Sequence, residues 1–383
     1  MFQFSNIIGQ QDVKDTLIKQ VNSGKLHHAH LFLGKMGYGT FQLAMAFMKY
    51  MYCTDKQAND SCNECPNCLK INHLSHIDIH FTLPSFDAKA LSNSIFSEFK
   101  KIVEHEHGLF DIKDWQDFNK EKNSKIRSAE CDIIINNMSL SSYEDGYKTQ
   151  VIWMAESLEK ESNKILKILE EPNPNSLFIL IAESSDLLLP TILSRCNIQK
   201  VLPLTNENIE NYLRDNSKAK SQEEIERAAM FSEGDLIEAK RYIEDEESEF
   251  PLELNLLNFL RGLINFSERK FTNINKAILQ AEILAAQSKT TQRKFLDYFQ
   301  YFLRQVIMLK ITHTCQLNQS LVNAAKHFAD NLDIDQIEAW TQILDKNYHA
   351  IEGNANVKIS FVSLAIESGQ IQNRNEFEVF VNK

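Results

Sequence analysis

Apolar positions in the first half of the chain alternate between two spacings. Over residues 12–24, Val13, Leu17, Ile18 and Val21 recur at helical intervals and Gly24 closes the run, which predicts a helix. Leu31–Leu33, Lys148–Met154 and Leu177–Ala182 are instead short apolar runs, the pattern of buried strands. Between them, Thr40–Tyr52 and Ile126–Met138 are helical in spacing, as is the stripe Ile165, Leu166, Ile168 and Leu169, which Pro172 stops. Strands alternating with helices predict an α/β domain with a parallel sheet. Residues 85–125 break the rhythm: they are polar and irregular, with Phe96, Phe99, Ile102 and Val103 marking one amphipathic helix, and read as a variable insertion.

Beyond Leu204 the strand signal stops. Helices are expected over Asn206–Arg214, Glu223–Phe231 and Asp235–Tyr242, followed by the acidic run Glu244–Glu249, read as a solvated linker. From Pro251 onward the helical pattern is nearly continuous, over Leu252–Phe266, Ile274–Ala286, Thr291–Ile311, Leu317–Leu332 and Asp335–Glu352. The stripe Phe295, Tyr298, Phe299 and Phe302 is read as core rather than as a ligand site. Three parts are expected: residues 1–204, 205–246 and 250–383. No internal repeat stands out.

Composition narrows the class without naming a function. A chain of 383 residues is long enough for two or three domains, and 43% hydrophobic with 24% charged residues is ordinary for a globular protein. A net charge of −11 argues against a surface that coats nucleic acid. No run of eighteen apolar residues occurs, and Met1–Ser5 lacks the charged and apolar regions of a signal peptide, so a cytoplasmic location and no membrane association are expected.

Two segments carry candidate chemistry. The first is Leu31–Ala44, an apolar strand running through Gly34, Gly37 and Gly39 into a helix. A phosphate-binding loop needs such glycines so that successive amides can face phosphate, then a lysine and a magnesium-binding hydroxyl in the order G-x-x-x-x-G-K-[ST]. Here Thr40 stands at the lysine position and Phe41 at the hydroxyl position, and Lys35 lies on the wrong side of the turn. An ordinary strand–turn–helix and a degenerate phosphate loop both fit. The second segment is Cys53, Cys62, Cys65 and Cys68, spaced C-x8-C-x2-C-x2-C. Four clustered thiolates in a reducing compartment suit structural Zn2+; an iron–sulfur cluster or free thiols are the alternatives, and a filled tetrathiolate leaves no position for catalysis. His73, His76 and His80 are possible rival ligands but read as surface or structural residues. Cys131, Cys196 and Cys315 read as isolated buried residues.

The segments Asn163–Pro172 and Leu189–Cys196, with His28–Gly34, Ile8-Gly9-Gln10 and the cysteine module, closely resemble signature segments of bacterial DNA polymerase III clamp-loader subunits. The combination resembles the delta-prime type, whose phosphate loop is typically degenerate, more than the ATP-hydrolysing gamma/tau type. The resemblance is dense over residues 1–204 outside 85–125; beyond that only Asn354-Ala355-Asn356 is similar to a short motif of the family's collar.

The resemblance implies a RecA-like AAA+ domain (1–204) with a zinc module at about 53–68 and an insertion at about 85–125, a helical lid (205–246) and an all-α collar (250–383). It implies that Trp153 and Met154 occupy the acidic Walker B positions, with Glu156 and Glu159 the nearest acids and read as a solvated helix start. The lid arginine expected after Gly234 is absent from Asp235-Leu236-Ile237. Arg195 of Ser-Arg-Cys would act as an arginine finger in a neighbouring subunit's ATP site; the competing reading is a salt bridge on its own domain. The implied protein is a non-catalytic, stator-like subunit with no ATP turnover of its own, working with gamma/tau and delta subunits, the sliding clamp and primer-template DNA. An ATPase motor using Lys35 and an unrelated zinc-containing nucleic-acid-binding protein are the alternatives.

Overall fold

Seven consecutive buried residues, Ser176–Ala182, form the middle strand of a parallel sheet. In chain order the strands are β1 (Ala29–Leu33), β2 (Ile79–Thr82), β3 (Lys148–Trp153), β4 (Ser176–Ala182) and β5 (Asn197–Lys200), arranged β2-β3-β4-β1-β5. The computed structural model describes residues 1–87, 90–121, 124–144, 146–216, 221–244, 252–264, 274–315, 317, 319–353 and 355–372. It divides into two units, Met1–Glu244 and Asp245–Lys383.

The alternation of side chains in β4 builds two cores. Leu177, Ile179 and Ile181 enter one, with α1 (Gln11–Asn22) and α2 (Thr40–Tyr52). Phe178, Leu180 and Ala182 enter the other, with α6 (Ser128–Ser139) and the turns leading to α7 (Leu166–Glu170) and α8 (Pro190–Leu193). A sheet buried on both faces explains why its central strands are uninterrupted apolar runs. The two edge strands escaped the sequence reading because each is four residues long and partly polar. In β5, Gln199 is buried and Ile198 exposed, and the strand is held by backbone pairing to β1, His30 opposite Asn197.

Residues 85–125 depart from the expected irregular stretch. Besides the anticipated helix, α4 (Ser92–His105), a second helix α5 (Ile112–Asn119) begins at a capping box formed by Asp111 and Asp114. Phe99, Phe110 and Trp115 are buried against Trp153 at the end of β3, their ring centroids 5.3, 5.1 and 6.3 Å from it. This segment is therefore part of the core. A short helix between the cysteines, α3 (Pro66–Asn72), was also not anticipated.

Three helices complete this unit: α9 (Asn206–Asn216), α10 (Gln222–Phe231) and α11 (Leu236–Glu244). Their residues Ile209, Ala228, Ile237 and Ala239 share the core that holds Met36 and Phe41.

The second unit is helical throughout its described residues: α12 (Leu252–Ile264), α13 (Ile274–Ala285), α14 (Lys289–Thr312), α15 (Gln319–Asn331), α16 (Ile334–Glu352) and α17 (Val357–Gln372). Phe295, Phe299 and Phe302 are fully buried, and the Trp340 ring lies 5.3 Å from both Phe299 and Phe328, so the aromatic stripe is core as expected. The acidic run beyond Glu244 and Asn354 lie outside the described residues. No described helix is long and apolar enough to cross a membrane.

Candidate functional site

The glycine turn joins β1 to α2. Gly39 has φ +88° and ψ 20°, a left-handed conformation that starts α2 and that glycine adopts without strain. Where a phosphate-loop lysine would stand, the buried Thr40 hydroxyl donates to the carbonyls of Lys35 (2.7 Å) and Gly34 (3.0 Å). Phe41, at the magnesium-ligand position, is fully buried, 5.5 Å from the Phe110 ring and 6.0 Å from that of Phe99. The half-exposed Lys35 carries its ammonium 3.9 Å from an Asp235 carboxylate oxygen. Burial works to lower the pKa of Lys35, but Asp235 and the neighbouring Tyr38, Glu233 and Glu183 outweigh it and raise it.

Acids surround the turn. The Met36 amide donates to Glu183 at 3.0 Å, and the Glu183 amide donates to Glu156 at 2.9 Å. Burial raises the pKa of Glu183 and Asp235, and it pushes that of Glu156 up to about 7, with the Glu183 charge adding to the effect. This corrects the reading of Glu156 as a solvated helix start. Glu159 is solvated as expected, exposed and paired with Lys125 at 2.7 Å, but with φ +47° it breaks the helical stretch rather than starting it. Trp153, at the end of β3, is fully buried, and Met154 takes a left-handed conformation with φ +56°. Neither offers a carboxylate to a metal.

No arginine follows Gly234 directly, but Arg241 lies one helical turn beyond Ile237 on α11. Its guanidinium is bonded to Asp111 through both terminal nitrogens at 2.8 Å, to Asp114 at 2.6 Å and to Glu238 at 2.8 Å. Burial opposes its charge, but Asp111 and Asp114 override that and raise its pKa.

Arg195 lies between α8 and β5, with its side chain 28% exposed. One terminal nitrogen donates to the Thr191 carbonyl at 2.7 Å and the other pairs with Glu170, at the end of α7. It thus makes a salt bridge on its own unit while remaining accessible from solvent.

The four cysteines converge. Cys53 follows α2, Cys65 caps α3 and Cys68 lies within it, while Cys62 stands in the loop between. Their sulfurs all lie within 4.8 Å of one another, with Cys53–Cys62, Cys62–Cys68 and Cys53–Cys65 at 3.5, 3.9 and 4.0 Å. Tetrahedral zinc with thiolates at about 2.3 Å requires sulfur separations of about 3.8 Å, so the residues fit such an ion. All seven cysteines are free. His73 is exposed near Glu104, and buried His76 faces Glu144 at 3.6 Å, so the histidines stay outside the cluster. Cys131 is buried as expected; Cys196 and Cys315 are only half-buried.

A family model described as DNA polymerase III, delta subunit matches residues 9–205. The chain belongs to this family. Among curated relatives, the delta-prime subunit of DNA polymerase III from Bacillus subtilis is 28% identical over 205 residues, 53% of this chain and 51% of that protein. The corresponding subunit from Haemophilus influenzae is 29% identical over 212 residues, 55% of this chain and 53% of its own. The gamma/tau subunit of Mycoplasma genitalium is 25% identical over 381 residues, 94% of this chain and 55% of that protein. The matched regions thus span about half the length of these relatives. In this member of the DNA polymerase III delta-subunit family, the match ends at residue 205, immediately before α9.

Proposed function

We propose that this chain is a clamp-loader subunit of the delta-prime kind, a fixed member of a hetero-oligomer that places the sliding clamp on primer-template DNA. It does not turn over ATP itself; it offers Arg195 to the ATP site of a neighbouring gamma/tau subunit. On this reading residues 1–204 are the AAA+ domain, 205–246 the lid and 250–383 the collar that assembles with gamma/tau and delta. The cysteine cluster holds a structural Zn2+ in a cytoplasmic protein. The observation that carries the reading is the combination of a glycine turn whose lysine and magnesium positions are Thr40 and Phe41 with a solvent-reachable arginine in Ser-Arg-Cys. A planar guanidinium can spread its donors over the charge that develops on a transferring phosphoryl group.

Arg195→Ala tests it. In a complex reassembled with its partner subunits, the DNA-stimulated ATPase rate is expected to fall at least about tenfold, a modest share of what such arginines contribute elsewhere, with subunit stoichiometry unchanged. An unaltered rate in a complex of verified composition refutes the role. In the motor alternative Lys35 would have to leave Asp235, 3.9 Å away, to reach a nucleotide.

A further inference from the structure

The glycine turn has no lysine at the phosphate-loop position, and while its Gly34, Tyr38 and Gly39 amides donate to the carbonyls of Ala182, Lys35 and Met36, its Met36 amide donates to a carboxylate. Amides gathered in a glycine-rich turn form a concavity that favours negative charge, and polar hydrogens left there without a partner are costly. The side chain facing Met36 is Glu183, which extends from the end of β4 and accepts the Met36 amide at 3.0 Å. Asp235 meets the turn from the other side. A Cβ added to Gly37 would lie 1.7 Å from an Asp235 carboxylate oxygen, so the acid rests directly against the turn's backbone at a point only glycine permits.

Asp235 is held firmly there. The same oxygen accepts the amides of Ile237 (3.1 Å) and Glu238 (3.2 Å) at the start of α11, its other oxygen faces Lys35, and the residue is only 7% exposed. Gly234 places it: with φ +86°, its carbonyl accepts the Leu204 amide at 3.1 Å, pinning the start of α11 to the strand-side chain.

We propose that the turn is a phosphate cradle filled by the chain's own carboxylates, Glu183 taking a phosphate's place on the amide and Asp235 closing the cradle, so that nucleotide is excluded by occupancy and charge and not only by the absent lysine. An internal anion competes at an effective concentration that free nucleotide does not match, and two fixed carboxylates repel a polyphosphate. The proposal rests on reading Gly34–Phe41 as a former nucleotide site, and it gives a use to the core that α9–α11 share with the turn: the acid that closes the cradle stands immediately before α11.

The test uses the full chain and a fluorescent ATP analogue with magnesium. Wild type, Thr40→Lys, Glu183→Gln/Asp235→Asn, and the three changes combined are titrated after their folding is checked by circular dichroism. Thr40→Lys alone is expected to gain less than about threefold in affinity, and the combined variant to bind at least about tenfold more tightly than Thr40→Lys. Tight binding by wild type, or by Thr40→Lys as strong as by the combined variant, overturns the proposal, as does a folded combined variant that gains nothing. Hydrogen exchange gives a second reading on a gentler change. In Glu183→Ala the Met36 amide is expected to exchange at least about tenfold faster than in wild type while β4 keeps its protection; unchanged Met36 exchange overturns the proposal. Neither measurement involves Arg195, so a failure here leaves the trans-acting role of that residue to its own test.

Discussion

Glu156 is the residue whose chemistry the sequence concealed most. It stands three residues past Trp153 in a polar stretch, and nothing in that stretch signals burial; only the fold places it beneath the Glu183 amide. Burial raises its folded pKa to about 7 from the ordinary 4.5. A carboxyl whose folded pKa is raised favours folding fully below about pH 4.5, and that advantage is lost as pH rises through about 7. The shift corresponds to at most about 3 kcal/mol between those limits, an upper figure because the group retains some solvent contact. Glu156→Gln keeps an acceptor for the Glu183 amide and cannot ionise. It is therefore expected to be more stable than wild type near pH 8, with the advantage shrinking toward about pH 5, as urea unfolding at the two pH values would measure. By contrast, Thr40 and Phe41 were legible without coordinates, because a motif's spacing fixes which residue must do what. The structure adds why they stay: one is bonded back to the turn and the other is core.

At the scale of elements, legibility followed burial. Most helices and the three central strands announced themselves through periodicity, whereas β2, β5, α3, α5 and α8 are short and owe their form to neighbours, and α17 was not predicted. The segment 85–125 is the instructive case. Many of its described polar residues face solvent, but Phe99, Phe110 and Trp115 reach inward to cover Trp153, and a one-dimensional pattern does not disclose what a side chain eight or forty residues away will meet. Phe99→Ala is expected to cost about 3–5 kcal/mol in denaturant unfolding, the range for an aromatic truncated in a packed core; a loss below about 1 kcal/mol would show that the segment is peripheral. The cysteine cluster was readable from spacing alone, since C-x2-C brings two thiolates to one point. Its attachment was not. Buried Lys49 of α2 reaches Asn72 at 2.8 Å and also Asn63, so the cluster is fastened to the helix that begins at the glycine turn. We expect about one zinc per chain by elemental analysis, lost on Cys65→Ser together with a lower thermal midpoint; full stability after chelation would deny the ion a structural role.

For the whole molecule, the sequence disclosed a change of architecture near residue 204 but not where cohesion lies. The helices α9–α11 belong to the same unit as the sheet, and the break falls at Glu244, next to the acidic run that had been read as a linker. Arg195→Ala removes one partly exposed side chain without touching either core, so its expected effect is on the ATPase rate of a reassembled complex and not on the stability of this chain. The mounting of that arginine has a mechanical side. Two residues after it begins β5, whose ladder is shared with β1, and β1 runs straight into the glycine turn. A single-residue slip in that ladder would turn β5 over and carry the guanidinium with it. Arg195 is thus bolted to the frame of the sheet like a sight to a barrel: if it serves a neighbouring site as proposed, it is pointed by turning the entire body, and whatever orients the protein in its complex also sets its aim.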